Sequence, residues 1–313
     1  MEVHTSTTVR ELALHFEFKQ LVGDDESLER LITLPNTNRP GLELTGYYAH
    51  AEPKRLVILG NKEASFIKTM TDEEKVERFD YLTNEETPFI LVTSGNEVSP
   101  ILIDIAEKKN FPIFHTDHKS SDIMVVMVTY LDEVLAPRDN VHGVFLNVFG
   151  KGVLIIGESG MGKSEVALEL ILRGHALIAD DRVDISRVKE TIIGTAPELL
   201  RGFLEIRGIG IIDTTQMFGI NAYLETKELD FVVEFKKWDD HAEYLRVGIE
   251  EQAYYETMGL KIPHLIFPVK EGRNLAVLVE SAVRDFMMKQ KGINSSKIFD
   301  QKVIEYIEAQ NKK

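Results

Sequence analysis

The stretch GVLIIGESGMGKSEVALELILRG, residues 152–174, decides the fold of the second half of the chain. An apolar run leads into a glycine-rich turn that ends in Lys163 and Ser164, and apolar residues then recur at helical spacing up to Gly174. All fixed positions of G-x-x-x-x-G-K-[ST] are present between a predicted strand and a predicted helix, which is the context that this motif requires. The sequence therefore predicts a phosphate loop that binds a nucleotide through Gly157, Glu158, Ser159, Gly160, Met161, Gly162, Lys163 and Ser164.

Such a loop binds phosphate for identifiable reasons. Glycines let successive backbone N–H groups point at one anion, and the helix that follows adds its positive N-terminal end. Lys163 is expected to reach the β- and γ-phosphates, and the Ser164 hydroxyl is expected to ligate Mg²⁺. The loop by itself indicates a nucleotide and magnesium, and it does not name a reaction.

Composition sets limits on the rest of the protein. The chain has 313 residues, of which 43% are hydrophobic and 28% charged, and it has no apolar run long enough for a membrane span, so two soluble globular domains are expected. The absence of cysteine excludes disulfides and thiolate chemistry and favours a cytoplasmic location. The net charge of −15 argues against a nucleic-acid surface, so an anionic ligand needs locally positive groups.

Residues 1–135 alternate between short apolar strands and helices, which predicts a small parallel α/β domain. The predicted strands are residues 55–60, 88–93 and 111–116, and the predicted helices are residues 72–82, 99–110, with Ser99 as N-cap, and about 120–134. A cluster of proline, charge and glycine at residues 136–143 marks the boundary to a second domain, residues 136–313.

The second domain is expected to contain a mixed sheet. A predicted hairpin with its turn at Gly150-Lys151-Gly152 leads into the phosphate loop, and several further strands follow with few long helices. Residues 274–313 are predicted to be helical. Their apolar residues Ile298, Val303, Ile304 and Ile307 recur at helical spacing, which suits packing on the core or on a neighbouring subunit, with core packing the simpler interpretation.

Several carboxylates are candidates for a role beside the loop. Asp180 and Asp181 directly follow an apolar strand, and ligands of open α/β sheets lie at the carboxyl ends of strands. One Asp could hold magnesium and the other could take the proton of an acceptor hydroxyl, although an Asp-Asp turn that caps a strand is also common. Asp213 is a rival by the same logic. Glu205 lies within an apolar strand, where a carboxylate is costly unless it is paired or bound to metal, and a solvent-facing strand residue is an equal alternative.

These residues leave three classes of function open. The protein could phosphorylate another protein, act as a small-molecule kinase, or serve as a regulatory switch that hydrolyses its nucleotide slowly. A small-molecule kinase usually has an arginine-rich acceptor pocket, and no such cluster is evident in the sequence. The catalytic sequences of eukaryotic protein kinases, H-R-D-L-x-x-x-N and D-F-G, are absent as well.

Further segments resemble one family, the bacterial HPr kinase/phosphorylases. The resemblance covers nearly the whole chain and rests on VHGVFLNVFGKGVLIIGESGMGKSE (141–165), ALIADDRVDI (176–185), LEIRGIGIID (204–213), NRPGLELTGYY (38–48) and PVKEGRN (268–274). It implies an enzyme that uses ATP to phosphorylate a regulatory serine of HPr, the small carrier of the sugar phosphotransferase system, and that reverses this step with inorganic phosphate, releasing pyrophosphate. It also implies a catalytic domain similar to phosphoenolpyruvate carboxykinase.

The resemblance assigns roles to residues by motif position. It implies that His142, Lys163, Asp181 and Arg246 are catalytic, and that Ser164 and Glu205 hold Mg²⁺. Further site candidates in the matched segments are Asp180, Arg207, Gly208, Asp213, Pro268, Lys270, Gly272 and Arg273. The segment 204–213 is implied to serve both directions, and the segment 267–272 mainly dephosphorylation.

One departure from the family pattern bears on the reverse activity. Where a basic residue followed by proline is expected, this chain has Lys270 and Glu271, so a negative charge is added where phosphate must arrive. The resemblance further implies a homohexamer, activation by fructose-1,6-bisphosphate, a catabolite-repression paralogue of HPr as a second substrate, and a role in carbon catabolite repression. It implies no nucleic-acid or membrane partner.

Overall fold

The computed structural model describes residues 6–238, 253–270 and 272–311. The chain divides into two compact units, Met1–Pro137 and Arg138–Lys313, next to the domain boundary expected from the sequence. Each unit combines helices with a sheet, and the mixed α/β class is confirmed. Among the described residues, no helix has the length and apolar character that a membrane crossing requires.

The first unit is built on a five-stranded sheet in the order β2-β7-β6-β5-β4. The strands β4 to β7 are parallel neighbours, and β2 adds an antiparallel edge beside β7. A separate antiparallel pair joins β1 to β3. The strands are β1 Thr7–Thr8, β2 Lys19–Val22, β3 Leu31–Ile32, β4 Thr37–Asn38, β5 Leu56–Leu59, β6 Ile90–Val92 and β7 Ile113–His115.

Helices cover both faces of this sheet. They are α1 Val9–His15, α2 Asn61–Ile67, α3 Asp72–Leu82, α4 Pro100–Lys109 and α5 Ser120–Val134. One apolar cluster joins α2, α3 and α4 to one face, and another joins α1 and α5 to the opposite face. The predicted bounds of α3 and α5 are confirmed. Ser99 occupies the N-cap position of α4 as predicted, but its side chain makes no capping hydrogen bond.

The second unit contains a six-stranded mixed sheet in the order β11-β9-β10-β17-β19-β18 and a four-stranded sheet in the order β16-β13-β12-β8. The hairpin β14–β15 stands apart from both. The strands are β8 Arg138–His142, β9 Val144–Val148, β10 Lys151–Gly157, β11 Ala176–Ala179, β12 Arg182–Val188, β13 Thr191–Thr195, β14 Phe203–Ile206, β15 Gly210–Asp213, β16 Thr226–Glu228, β17 Phe231–Lys237, β18 Ala253–Thr257 and β19 Leu260–Val269.

The predicted hairpin before the phosphate loop is formed by β9 and β10, but its turn lies one residue earlier than expected. Lys151 and Gly152 already pair with Val148 and Asn147, so the turn consists of Phe149 and Gly150. Both turn residues have positive φ, 52° and 85°, which is the backbone that a two-residue hairpin turn requires. The sequence favours a later turn because Gly150 and Gly152 both accept the positive φ that hairpin turns require.

The strand β10 is buried on both faces, since successive side chains point to opposite sides of a sheet. Val153 and Ile155 pack against α6 (Lys163–Leu172) and α8 (Leu275–Gln290). Leu154 packs on the other side, among apolar residues of the four-stranded sheet. The strand that leads into the phosphate loop is therefore fixed between a layer of helices and a second sheet.

The last helix, α9 Ser295–Asn311, corrects one expectation. Its apolar side chains do not pack on the core: Ile298, Val303, Ile304 and Ile307 are between 38% and 51% exposed. Helical spacing identified one apolar face, but spacing does not determine what covers that face. The remaining helix, α7 Thr214–Phe218, follows β15.

Candidate active site

The phosphate loop leaves β10 at Gly157 and enters α6 at Lys163. Gly157 has a φ of 147°, and a Cβ placed on it would lie 2.6 Å from the carbonyl oxygen of Phe235 on the neighbouring strand. Only glycine fits at this position. Gly162, with a φ of 80°, stands immediately before the helix and lets the chain turn into it. These conformations agree with the predicted cradle of backbone N–H groups.

Lys163 is folded into this loop and is only 8% exposed. Its Nζ donates to the carbonyl oxygens of Gly157, at 2.8 Å, and Glu158, at 3.1 Å. Burial lowers the pKa of the Lys163 ammonium, and the carboxylates of Asp181 and Asp180 oppose that change. The ammonium is thus held at the rim of the cradle, within reach of an anion seated in it.

Asp180 connects three elements of the site. Its Oδ1 accepts a hydrogen bond from the Ser164 hydroxyl on α6, and its Oδ2 accepts one from the Glu205 backbone N–H on β14, each at 3.0 Å. Its side chain is buried, and this burial raises the pKa of the carboxyl, whereas the two hydrogen bonds lower it. Asp180 therefore ties the end of β11 to the helix after the loop and to the β14–β15 hairpin.

Asp181 and His142 form an exposed pair at the opening of the site. The antiparallel register of β8 and β12 sets His142 opposite Arg182. This register brings the Nδ1 of His142 to 3.2 Å from Asp181 Oδ1. Asp181 has a φ of 65°, an uncommon backbone for a non-glycine residue that occurs often at functional sites. A substrate can approach this carboxylate because the side chain is 71% exposed.

A cleft of about 160 Å³ brings these groups together. Arg207 also faces it, and its Nη2 donates to Ser159 Oγ at 3.2 Å. The predicted residues that line the cleft are His142, Ser159, Gly160, Gly162, Lys163, Ser164, Asp180, Asp181, Glu205 and Arg207. Glu165 lines it too, and sequence analysis did not single it out; its only signal is its place in the first turn after Lys-Ser.

Comparison with known proteins places the chain in a family. The family model described as HPr Serine kinase N terminus matches residues 7–131, and the one described as HPr Serine kinase C-terminal domain matches residues 133–303. The chain belongs to the HPr serine kinase family. The predicted resemblance is thereby confirmed.

Relatives that carry the name HPr kinase/phosphorylase align over most of their length. The protein from Geobacillus thermodenitrificans is 42% identical over 290 residues, which cover 92% of this chain and 94% of the relative. The protein from Halalkalibacterium halodurans is 39% identical over 302 residues, or 96% and 97% of the two chains. A solved structure, the Hpr(Ser) kinase/phosphatase from Coxiella burnetii, is 36% identical, covers 51% of this chain and 98% of its own, and has a TM-score of 0.46. This family is one of enzymes.

Some residues that the HPr serine kinase resemblance singled out lie elsewhere. Asp213 is the N-cap of α7, and its Oδ1 accepts hydrogen bonds from the backbone N–H groups of Thr215 and Gln216, so this carboxylate is used within the fold. Hydrogen bonds from these residues lower the pKa of Asp213. Gly208 lies in the turn of the β14–β15 hairpin. Arg246 and Glu271 lie outside the described residues.

The segment after β19 forms a neighbouring feature. Pro268 lies in β19, and Lys270 follows its last residue. Gly272 and Arg273 line a second cavity of about 410 Å³ together with Gly162 and Glu165 at the start of α6. The phosphate loop of this HPr serine kinase family member therefore borders two openings, one lined by the carboxylates and one by the segment after β19.

The buried carboxyl of Asp180 yields a prediction. We expect Asp180→Asn to raise the free energy of unfolding at neutral pH without magnesium, because an amide avoids the cost of a buried charge and can still bond Ser164 and the Glu205 N–H. The folded-state pKa of Asp180 is raised, so its protonated form stabilises the wild type at low pH. That stabilisation is lost as pH rises from the ordinary Asp value of about 3.9 through the raised pKa. The advantage of the variant should therefore grow across that window, as measured by urea unfolding at a series of pH values.

Asp180→Asn should weaken nucleotide binding although it stabilises the fold. The same variant should weaken Mg²⁺-dependent ATP binding by about tenfold or more, since a carboxylate beside Ser164, the expected Mg²⁺ ligand, is lost. The control is Asp285→Asn on α8, which removes an exposed carboxylate that pairs with Lys289. A variant of Asp180 that is less stable than wild type at neutral pH and binds magnesium nucleotide normally would contradict this account of the residue.

Proposed function

We propose that the protein transfers the γ-phosphoryl group of ATP to a serine of HPr and also removes it by attack of inorganic phosphate. The observation that carries this proposal is the juxtaposition, in one cleft, of a phosphate cradle with the exposed carboxylate of Asp181. Family membership supports HPr as the acceptor, since the relatives are named HPr kinase/phosphorylase. A cradle places the donor phosphate, and a solvent-facing carboxylate beside it can serve an incoming hydroxyl.

The side chains around Ser164 are suited to hold Mg²⁺. Mg²⁺ typically binds one or two protein carboxylates together with water and substrate phosphates, in contrast to a full protein cage. In the described ranges, no group of three or more His, Cys, Asp or Glu side chains is placed to hold a metal. The Ser164 hydroxyl and the Asp180 carboxylate are in contact, and Glu205 lines the same cleft. Ser164 and Glu205 would hold the ion, with Asp180 orienting Ser164, and the ion would neutralise charge on the transferring phosphoryl group.

The forward reaction needs positioning and charge neutralisation more than covalent chemistry. The backbone N–H groups of the loop would hold the β-phosphate, and Lys163 would turn from the loop carbonyls to the β- and γ-phosphates. Asp181 would accept the serine proton as the serine oxygen bonds to the γ-phosphorus. The bond between the γ-phosphorus and the oxygen that bridges it to the β-phosphate would break, and ADP would leave. His142, in contact with Asp181, would orient that carboxylate.

The reverse reaction follows from the same geometry. Without a nucleotide, inorganic phosphate can occupy the cradle that otherwise holds the β-phosphate. One of its oxygens would attack the phosphorus of phosphoserine, the bond between phosphorus and the serine oxygen would break, and the carboxyl of Asp181 would return a proton to that oxygen. The product is pyrophosphate. An anchored phosphate has the advantage over bulk water because its position is already fixed.

An exposed apolar surface beside the cleft favours a protein acceptor over a small molecule. This surface, here called the apolar rim, consists of side chains on the β14–β15 hairpin, which supplies Glu205 and Arg207 to the cleft, and on the segments directly before and after it in sequence. Its large side chains are at least half exposed, and they are Leu199, Ile209, Ile211, Met217 and Ile220. Exposed apolar side chains concentrated in one segment, residues 199–220, favour a contact with another protein.

The proposal extends to the cellular role, location, assembly and regulation of the protein. Action on HPr supports a role in carbon catabolite repression and a cytoplasmic location. A homohexamer, activation by fructose-1,6-bisphosphate and a second HPr-like substrate stay predictions from the family.

The direct test mixes the chain with ATP, Mg²⁺ and purified HPr. We expect one phosphate per HPr on a serine, detected by mass spectrometry, and release of pyrophosphate when inorganic phosphate is added to phosphorylated HPr. The control is HPr in which that serine is alanine. Loss of ATP without modification of HPr would favour the regulatory switch, and transfer to a metabolite instead of HPr would favour the small-molecule kinase.

The apolar rim yields a separate prediction. Ile211→Ser should raise the KM for HPr by about fivefold to thirtyfold, because one to two kcal/mol of apolar burial is lost at the contact. The KM for ATP should stay within about twofold of wild type, since Ile211 does not line the cleft. Leu14→Ser is the matched control, an exposed leucine of the first unit. An unchanged KM for HPr would remove this surface from the docking site.

A further inference from the structure

A cavity of about 200 Å³ lies within the first unit and is lined by residues of that unit alone. Leu59 and Val92, the last residues of β5 and β6, line it and are paired with each other across these two parallel strands. Ligands of open α/β sheets bind at the carboxyl ends of the strands. The cavity therefore lies where sheets of this kind hold small molecules.

The floor of the cavity is apolar and belongs to the core of the first unit. Its buried lining residues are members of one apolar cluster and are at most 8% exposed, and they are Leu59, Ile67, Val92 and Leu102. An apolar cavity of about 150 Å³ is large enough to bind benzene. This cavity can therefore accept a branched hydrocarbon group of about four carbons together with the atoms attached to it.

Charged side chains of both signs line the cavity at its exposed side. Lys68, directly after α2, and Glu97, in the segment before α4, are both exposed. Within the part of the chain that the structure describes, neither side chain forms an ion pair or a hydrogen bond. Lys75 lines the cavity as well, but its ammonium is paired with Asp72 Oδ1 at 3.1 Å. The opening therefore offers one cation and one anion to a ligand.

The hydroxyl of Ser99 is available at the same opening. Serine at a helix N-cap usually bonds to the first turn, but the Ser99 side chain makes no such bond to α4. Ser99 is half-buried and lines the cavity, and its hydroxyl has no partner among the residues that the structure describes. A hydroxyl can donate to a carboxylate and can accept from an ammonium.

We propose that this cavity binds a free apolar α-amino acid of about the size of leucine. The amino-acid side chain would occupy the apolar floor, the ammonium would pair with Glu97, and the carboxylate would pair with Lys68 and accept from Ser99. An apolar carboxylic acid would instead bring a second negative charge beside Glu97, which is unfavourable. The inference goes beyond the proposed function, because no residue of the first unit lines the phosphate-loop cleft.

Isothermal titration calorimetry with the full chain tests the class of ligand. L-leucine should bind with a Kd below about 1 mM. Isocaproate, which has the same carbon skeleton without the ammonium, and isoamylamine, which lacks the carboxylate, should each bind at least about tenfold more weakly, since each loses one charge-assisted contact. No measurable binding of leucine, or isocaproate binding as tightly as leucine, would overturn the proposal.

Two charge-neutralising variants test the roles of Lys68 and Glu97. Lys68→Gln should raise the Kd for leucine about tenfold and leave that for isoamylamine unchanged, because isoamylamine has no carboxylate to lose. Glu97→Gln should also raise the Kd for leucine, but it should not weaken the binding of isocaproate. Lys62→Gln is the matched control, since Lys62 is an exposed lysine of α2 that does not line the cavity. Either variant binding leucine as tightly as wild type would contradict the proposed pairing.

A third variant fills the floor without changing a charge. Ala64 lines the cavity from α2, so Ala64→Leu should place a larger apolar side chain there and abolish leucine binding, with circular dichroism used to confirm the fold. A folded Ala64→Leu variant with wild-type leucine affinity would overturn the proposal. These titrations do not depend on phosphoryl transfer, so failure of the proposed function would leave their outcome interpretable. Without leucine, Lys68→Gln should phosphorylate HPr at the wild-type rate.

Discussion

The buried carboxylate of Asp180 is the contact on which the organisation of the site depends. One oxygen holds the Ser164 hydroxyl and the other holds the backbone of Glu205, so a single side chain sets the spacing between the phosphate-loop helix and the β14–β15 hairpin. Burial raises the pKa of this carboxyl, because burying its charged form lowers the free energy of unfolding. Residues needed for function often lower the stability of the fold in this way.

Cationic side chains lie at the phosphate loop beside the carboxylates of the cleft, in a chain that is strongly acidic as a whole. Lys163 lies inside the loop, Arg207 contacts Ser159, and Lys237 contacts Glu158. The global charge repels anionic substrates, so these local cations and the backbone N–H groups must supply the attraction. Under the proposed function, the same arrangement would hold a nucleotide tail or a free phosphate, so one cleft would support both directions of phosphoryl transfer.

Local signals in the sequence predicted much of the fold. The predicted bounds of α3 and α5 agree with the structure, in which the Thr71 hydroxyl caps α3. The phosphate loop was visible because its glycines and its Lys-Ser pair are contiguous. The exposure of Ile304 was not predictable, since periodicity identifies an apolar face and leaves open what covers it.

Contacts between distant residues lay beyond sequence reasoning. The approach of His142 to Asp181 depends on the register of β8 against β12, and the convergence of Lys270 and Arg273 on Trp238 depends on the neighbouring positions of β17 and β19. Asp213 has the sequence features of a ligand and in the structure caps α7, since an Asp at the end of a strand serves either purpose. His142 and Arg246 were singled out only through the family resemblance.

The central claim is that one anion-binding loop serves both phosphorylation and dephosphorylation, and Lys163→Ala tests it most directly. The rates of HPr phosphorylation and of pyrophosphate formation from phosphorylated HPr should be measured for this variant, with Lys261→Ala, an exposed lysine of β19, as control. The account predicts that Lys163→Ala lowers both rates by about a hundredfold or more while the variant stays folded, because the charge that neutralises the transferring phosphoryl group is lost. A folded variant that retains either rate near the wild-type value would contradict it.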